Sequence, residues 1–169
     1  MKQLLKRSAS VYLALIASAL MALAKPSAEI DKRIVTIGGA ATEIVFALGA
    51  GSSVVAADLS SIYPPQAREL PMVGYVRNIS PEGVLSMSPD LVIATGALGP
   101  PTARQMLERL DIDIIWLPNL STPEELLSSI KTVSERLALT DAAKVLIEEV
   151  NHGLAQACLL YTSPSPRDS

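Results

Sequence analysis

Cys158 and His152 are the only cysteine and the only histidine among 169 residues. One thiol cannot close an internal disulfide, and one Cys with one His cannot supply the ligand set of a structural zinc site. A Ser-His-Asp triad would have to recruit His152, which falls in a helical pattern beside Glu148 and Glu149. A solvated helix position accounts for it better than a base does. Basic charge is also scarce: 14 Lys/Arg stand against 17 Asp/Glu, for a net charge of −3, and Lys/Arg cluster only at the N-terminus. That leaves no basic surface for nucleic acid. No G-x-G-x-x-G spacing and no Walker lysine follow Gly38-Gly39, which disfavours a nucleotide enzyme. The two glycines are read as a sharp strand-to-helix turn, with ligand contact as the other reading. What is abundant is apolar content, 49% against 18% charged residues, which demands a folded core.

The first 24 residues carry the features of an export signal. Lys2, Lys6 and Arg7 form a basic start, Val11 to Leu20 an apolar stretch, and Ala22-Leu23-Ala24 the small residues that signal peptidase accepts. Val11 to Leu23 falls short of the roughly 20 apolar residues that span a bilayer, so cleavage after Ala24 is expected rather than anchoring. Lys25, not cysteine, follows the cut, which argues against a lipid anchor. From Lys25 to Ala157 there are 10 Lys/Arg against 16 Asp/Glu, so the mature body is acidic.

Beyond Lys32, short apolar runs alternate with longer helical periods, the pattern of an α/β lobe with a parallel sheet and flanking helices. Strands are expected at Ile34–Ile37, Val54–Asp58, Leu91–Thr95 and Ile114–Leu117. Gly49 and Gly51 close a helix that begins near Ala41, and Ser80-Pro81 opens a short one through Met87. Thr122-Pro123-Glu124-Glu125 reads as a capping box ahead of a helix with Leu126, Ile130, Val133 and Leu137 on one face. A last helix spans Asp141 to about Ala157, with Thr140 as its cap and Val145, Leu146 and Val150 at core-facing spacing. The Ser/Pro-rich end has no periodicity and cannot build a core; it resembles translated adapter sequence. The expected organisation is therefore a signal over 1–24, a ligand-binding lobe over 25–139, a helix start over 140–157 and a non-native or disordered tail over 158–169.

Tyr75 stands in the segment leaving the second strand, at the carboxyl edge where open α/β sheets bind ligands. Arg77, two residues on, can lie beside the phenol if that segment is extended. A cation beside a phenol favours phenolate, a hard ligand for ferric iron, and tyrosine is an established haem ligand. On these residues alone a packed or exposed Tyr/Arg pair is the more common outcome. Asp58, Ser60 and Ser61 lie close to the same edge and could serve a small exported hydrolase, although Asp58 also fits a strand-end turn.

The wider pattern favours ligation. Ile37-Gly38-Gly39-Ala40-Ala41-Thr42-Glu43-Ile44 with Ala47-Leu48-Gly49, and Pro89-Asp90-Leu91-Val92, join Val73-Gly74-Tyr75-Val76-Arg77 followed by Ser80-Pro81-Glu82-Gly83-Val84-Leu85. With these blocks, Arg33 to about Ala157 resembles the periplasmic haem-binding proteins of bacterial haem ABC importers, within the cobalamin- and siderophore-binding protein superfamily. The Gly-Tyr-x-Arg block is the specific part. The resemblance implies the N-terminal lobe of a class III periplasmic binding protein, truncated in the helix that joins two lobes, with ligand held between them and no catalysis. Tyr75 matches the tyrosine that binds haem iron, Arg77 the arginine that accompanies it, and Glu82 an exposed carboxylate that docks onto the inner-membrane ABC permease. A first-turn carboxylate is also favoured by the helix dipole. His152 does not match a second iron ligand. Haem propionates would need other donors, for which Arg104 or Ser60 would serve only if the fold brings them to the cleft. A siderophore or cobalamin would use the same lobe without placing Tyr75 on a metal.

Overall fold

The computed structural model describes residues 30–162, with side chains as far as Ala157. The expected signal and the Ser/Pro end of the tail lie outside the described residues. Four parallel strands, β1 (Ile34–Ile37), β2 (Val54–Ala57), β5 (Leu91–Thr95) and β6 (Asp113–Leu117), form one sheet in the order β2-β1-β5-β6. A short antiparallel hairpin, β3 (Gly74–Tyr75) and β4 (Asn78–Ile79), stands apart from it. The helices are α1 (Gly39–Ala47), α2 (Pro81–Ser86), α3 (Pro101–Glu108), α4 (Pro123–Arg136) and α5 (Thr140–Thr162).

Every residue of β1 and β5 is buried, because side chains alternate between two covered faces of the sheet. Ile34, Leu91, Ile93 and Leu117 face Ala41, Ile44 and Val45 of α1, Ile130 and Val133 of α4, and Ala143 of α5. Val35, Ile37, Val92 and Ala94 face Val84 of α2, Ala103 and Leu107 of α3, and Val73, Val76 and Ile79 of the hairpin region. The hairpin is thus part of the second apolar layer. β6 is an edge strand, so Ile114, Ile115 and Trp116 are only half-buried.

The chain moves from β1 outward to β2 across one face, then crosses back over β1 to β5 on the other. The carboxyl ends of β1 and β5 therefore flank the point where connections diverge, the place where open α/β sheets take ligands. At the opposite end, Asp90 ties the strand starts together: its carboxylate accepts from the Arg33 N–H at 2.8 Å, and the Arg33 guanidinium donates to the carbonyls of Met87 and Ser88.

Several expected boundaries move. β2 ends at Ala57 rather than Asp58, β6 begins at Asp113, and α1 begins at Gly39, two residues before Ala41. Gly38 supplies that early start, with φ of 101° in the turn out of β1. Thr122 caps α4 as expected, accepting from the Glu125 N–H at 3.2 Å. The Glu125 carboxylate closes the box one residue earlier, on the Ser121 N–H at 2.6 Å. α5 runs on to Thr162, so its expected end near Ala157 falls inside it. Val145 is 56% exposed, a correction to its core-facing assignment, while Leu146 and Val150 pack on the core with Ile147.

Candidate functional site

The residues singled out around Tyr75 lie on the hairpin β3–β4, which sits over the carboxyl edge of the sheet. The segment before it runs beside β2: Ala57 donates to the Pro71 carbonyl, and Val73 donates to the Ala57 carbonyl, both at 3.0 Å. Leu59 N–H then donates to the Gly74 carbonyl at 2.8 Å. On the other side, Gly99 N–H donates to the Val76 carbonyl at 2.8 Å, and Ile79 N–H to the Gly99 carbonyl at 2.9 Å. Loops from β2 and β5 thus grip the hairpin from two directions. Gly74 has φ of 118°, and a Cβ there would come within 3.0 Å of the Asn78 carbonyl oxygen, so the hairpin needs glycine at that position.

Tyr75 is paired with Asn78, and Val76-Arg77 form the two-residue turn between them. Tyr75 is 47% exposed, Arg77 is exposed, and Val76 between them is buried. The segment is a tight hairpin rather than an extended strand, so the geometry that would lay Arg77 alongside the phenol along an extended chain is absent. Arg77 instead lines an open hollow of about 570 Å³ with Gly96, Ala97, Gly99, Pro100 and Asn119, between the loops that leave β5 and β6. Tyr75 and Arg77 remain on one edge of the lobe.

Three residues that sequence reasoning passed over join this edge. Leu59, Ile62 and Tyr63, in the loop after β2, are 58%, 61% and 61% exposed, and Leu59 is bonded through its backbone to Gly74. Large apolar side chains left open on a loop that is tied to the tyrosine hairpin can receive a flat, mainly apolar ligand. The signal was present as Leu59, Ile62 and Tyr63, three large apolar residues within five where a loop after a strand is ordinarily polar.

The other candidates are occupied. Asp58 is fully buried, with both carboxylate oxygens accepting hydrogen bonds, and Ser61, 1% exposed, donates to it at 2.9 Å. Ser60 reaches the edge, where its Oγ accepts from the Gly39 N–H at 3.1 Å. These roles fit the turn reading of Asp58, and the Ser61–Asp58 pair is buried rather than open to a substrate. Arg104 stacks on Trp116, 4.1 Å from the ring centre, and pairs with Glu108 at 2.9 Å. His152 is exposed on α5, its Nε2 3.0 Å from Gln156 Nε2. Glu82 is exposed in the first turn of α2, where its carboxylate accepts from the Ser80 hydroxyl at 3.2 Å. Among the described residues no group of three or more His, Cys, Asp or Glu is arranged to hold a metal ion, and no helix is long and apolar enough to cross a membrane.

A family model described as "Periplasmic binding protein" matches residues 34–158. The vitamin B12-binding protein of Vibrio cholerae is 33% identical over 144 residues, which are 85% of this chain and 51% of the relative. Among solved structures, a periplasmic heme binding protein from Pseudomonas aeruginosa superposes with a TM-score of 0.72 at 32% identity, over 79% of this chain and 50% of that one. The periplasmic vitamin B12 binding protein BtuF of Vibrio cholerae gives 0.70 at 31% identity, over 80% and 53%. The periplasmic heme-binding protein BhuT, solved with two hemes, gives 0.66 at 37% identity, over 70% and 46%. The chain spans about half the length of the curated relatives it matches first.

Proposed function

The chain belongs to the periplasmic binding protein family, and from that premise we propose that its protein captures haem in the periplasm and passes it, chemically unchanged, to an inner-membrane ABC permease. Residues 1–24 direct export, residues 25–139 form the ligand-binding lobe, and residues 140–157 begin the helix to a second lobe. Of the tail, residues 158–169, the first five continue α5, and none takes part in binding. Tyr75 ligates the ferric iron through its phenolate oxygen, and Arg77 supplies positive charge at the same edge. Glu82 is the docking carboxylate for the permease.

The observation that carries this reading is a half-exposed tyrosine on a hairpin pinned from both sides and tied through the Leu59 backbone to a loop on which Leu59, Ile62 and Tyr63 are open. A tetrapyrrole needs that combination: one ligand atom held in place, and apolar surface to receive the ring. Sites of this kind bury about 70–90% of their ligand, and on this reading the lobe described supplies one wall of such a site.

Hemin titration followed by absorption tests the assignment. The unmutated chain should give a ferric-tyrosinate band, and Tyr75→Phe should abolish the band and weaken binding at least about tenfold, or about 1.4 kcal/mol. Retention of the band by Tyr75→Phe would overturn it.

Cobalamin is the second reading, favoured by the 33% identity to the Vibrio cholerae vitamin B12-binding protein. It makes the opposite prediction: tight cyanocobalamin binding indifferent to loss of the Tyr75 hydroxyl.

A further inference from the structure

We propose that Asp58 is the positioning residue of the site, a single buried carboxylate that locks the Tyr75 hairpin and the Tyr63 loop to the end of β1. The inference rests on the haem reading above for its functional consequence. Its structural core stands on hydrogen bonds alone.

Asp58 is fully buried, and four donors from three separate segments converge on it. Oδ1 accepts from the Gly38 N–H at 2.7 Å, at the end of β1, and from the Ser61 hydroxyl at 2.9 Å. Oδ2 accepts from the Ser60 N–H at 2.9 Å and from the Val76 N–H at 3.1 Å. Val76 follows Tyr75 directly. On the other side of Tyr75, the Gly74 carbonyl is held by the N–H of Leu59, the residue after Asp58. Residues 58 and 59 therefore fix the backbone immediately before and after the tyrosine.

A hairpin with two residues in each strand does not order itself in water, so its geometry must come from outside. Asp58 supplies much of that order, and the same carboxylate holds Ser60 and Ser61 at the root of the loop that presents Ile62 and Tyr63. Ligand atom and apolar platform are thus set relative to each other by one group. Pre-ordering of this kind raises affinity by removing the cost of arranging the site on binding. Only a carboxylate fits: an amide has one acceptor oxygen, and its NH₂ would face two N–H donors or a hydroxyl and an N–H. Beyond Ser61, the Thr42 hydroxyl lies 2.7 Å from both Ser61 Oγ and Thr36 Oγ1, so further polar groups pack behind the carboxylate.

The test compares the full chain with Asp58→Asn and with Ile130→Ala, a core truncation under α4 on the face of the sheet away from the hairpin. Amide hydrogen exchange reads the hairpin, and hemin titration reads the site. Asp58→Asn should speed exchange at Leu59, Val76 and Gly99 at least tenfold, weaken hemin at least tenfold and diminish the tyrosinate band at saturation. Ile130→Ala should lower the thermal midpoint yet leave the band at saturation unchanged. Equal hairpin exchange in Asp58→Asn and the unmutated chain would overturn the proposal. If Asp58→Asn does not fold, the unmutated chain decides: a Val76 amide as protected as those of β1 supports the proposal, and a rapidly exchanging one overturns it. If the unmutated chain takes up no hemin, the haem reading fails, and the exchange comparison alone judges the role of Asp58.

Discussion

Tyr75, Arg77 and Gly38 show how far single residues reveal their work before the fold is known. The Gly38-Gly39 pair reads as a sharp turn, and the structure explains it: Gly38 holds φ of 101°, and a Cβ on it would come within 2.4 Å of Thr95 Oγ1. Gly38→Ala combines left-handed strain with that clash against β5. Backbone strain alone costs about 1–3 kcal/mol. Urea unfolding should show a lower midpoint with an unchanged slope, because the surface exposed on unfolding stays the same. Arg77 is less legible. Whether it lies along the phenol or across the turn from it depends on hairpin geometry, which the residue pattern Tyr-Val-Arg does not specify. Asp58 is the least legible, since its partners Gly38 and Val76 are 20 and 18 residues away in sequence.

Elements are read best where their signals are local. The α4 start was visible in four consecutive residues, and its cap is present as expected, with Thr122 accepting from Glu125 N–H. Thr122→Ala should cost about 1 kcal/mol in thermal or denaturant unfolding, the usual penalty for losing a hydroxyl cap. Glu124, in the same turn, has its carboxyl held below the ordinary glutamate range, first by its backbone hydrogen bond and then by the Thr122 side chain. A carboxyl lowered in the folded state stabilises the fold above the ordinary glutamate range, and the effect fades as the pH falls through the lowered value. Titration of the side-chain carbon by NMR should place the Glu124 midpoint below that of an unstructured glutamate, and Thr122→Ala should move it upward. α5 shows the limit of periodicity. Val145 and Leu146 are about 100° apart around a helix, so they cannot both point at the centre of one face. Leu146, Ile147 and Val150 together select the buried face and leave Val145 outside.

At the scale of the molecule, stability is concentrated in the two inner strands and the layers on either side. Ile93, fully buried in β5, touches the layer made by α1, α4 and α5. Ile93→Ala should cost about 2–5 kcal/mol, the range for emptying a core aliphatic site. Val145→Ala, on the open side of α5, should stay within about 0.5 kcal/mol by the same denaturation assay. The chain spans about half the length of its curated relatives, and on the proposed reading the half present carries the iron ligand.

The sequence by itself determined the four strands of the sheet, four of the five helices (not Pro101–Glu108), the α/β class and the family resemblance. Each of these is written in local signals: buried runs for strands, caps and prolines for helix starts, glycines for turns. Tertiary structure decided the strand order β2-β1-β5-β6, the hairpin that turns Arg77 away from an extended path, the apolar rim of Leu59, Ile62 and Tyr63, and the burial of Asp58 under four donors. The physical reason is separation along the chain. A cap or a turn is satisfied within four residues, whereas the Tyr75 edge exists only where loops from β1, β2 and β5 converge. Which side chains meet there depends on how the sheet is ordered and which way each connection crosses it.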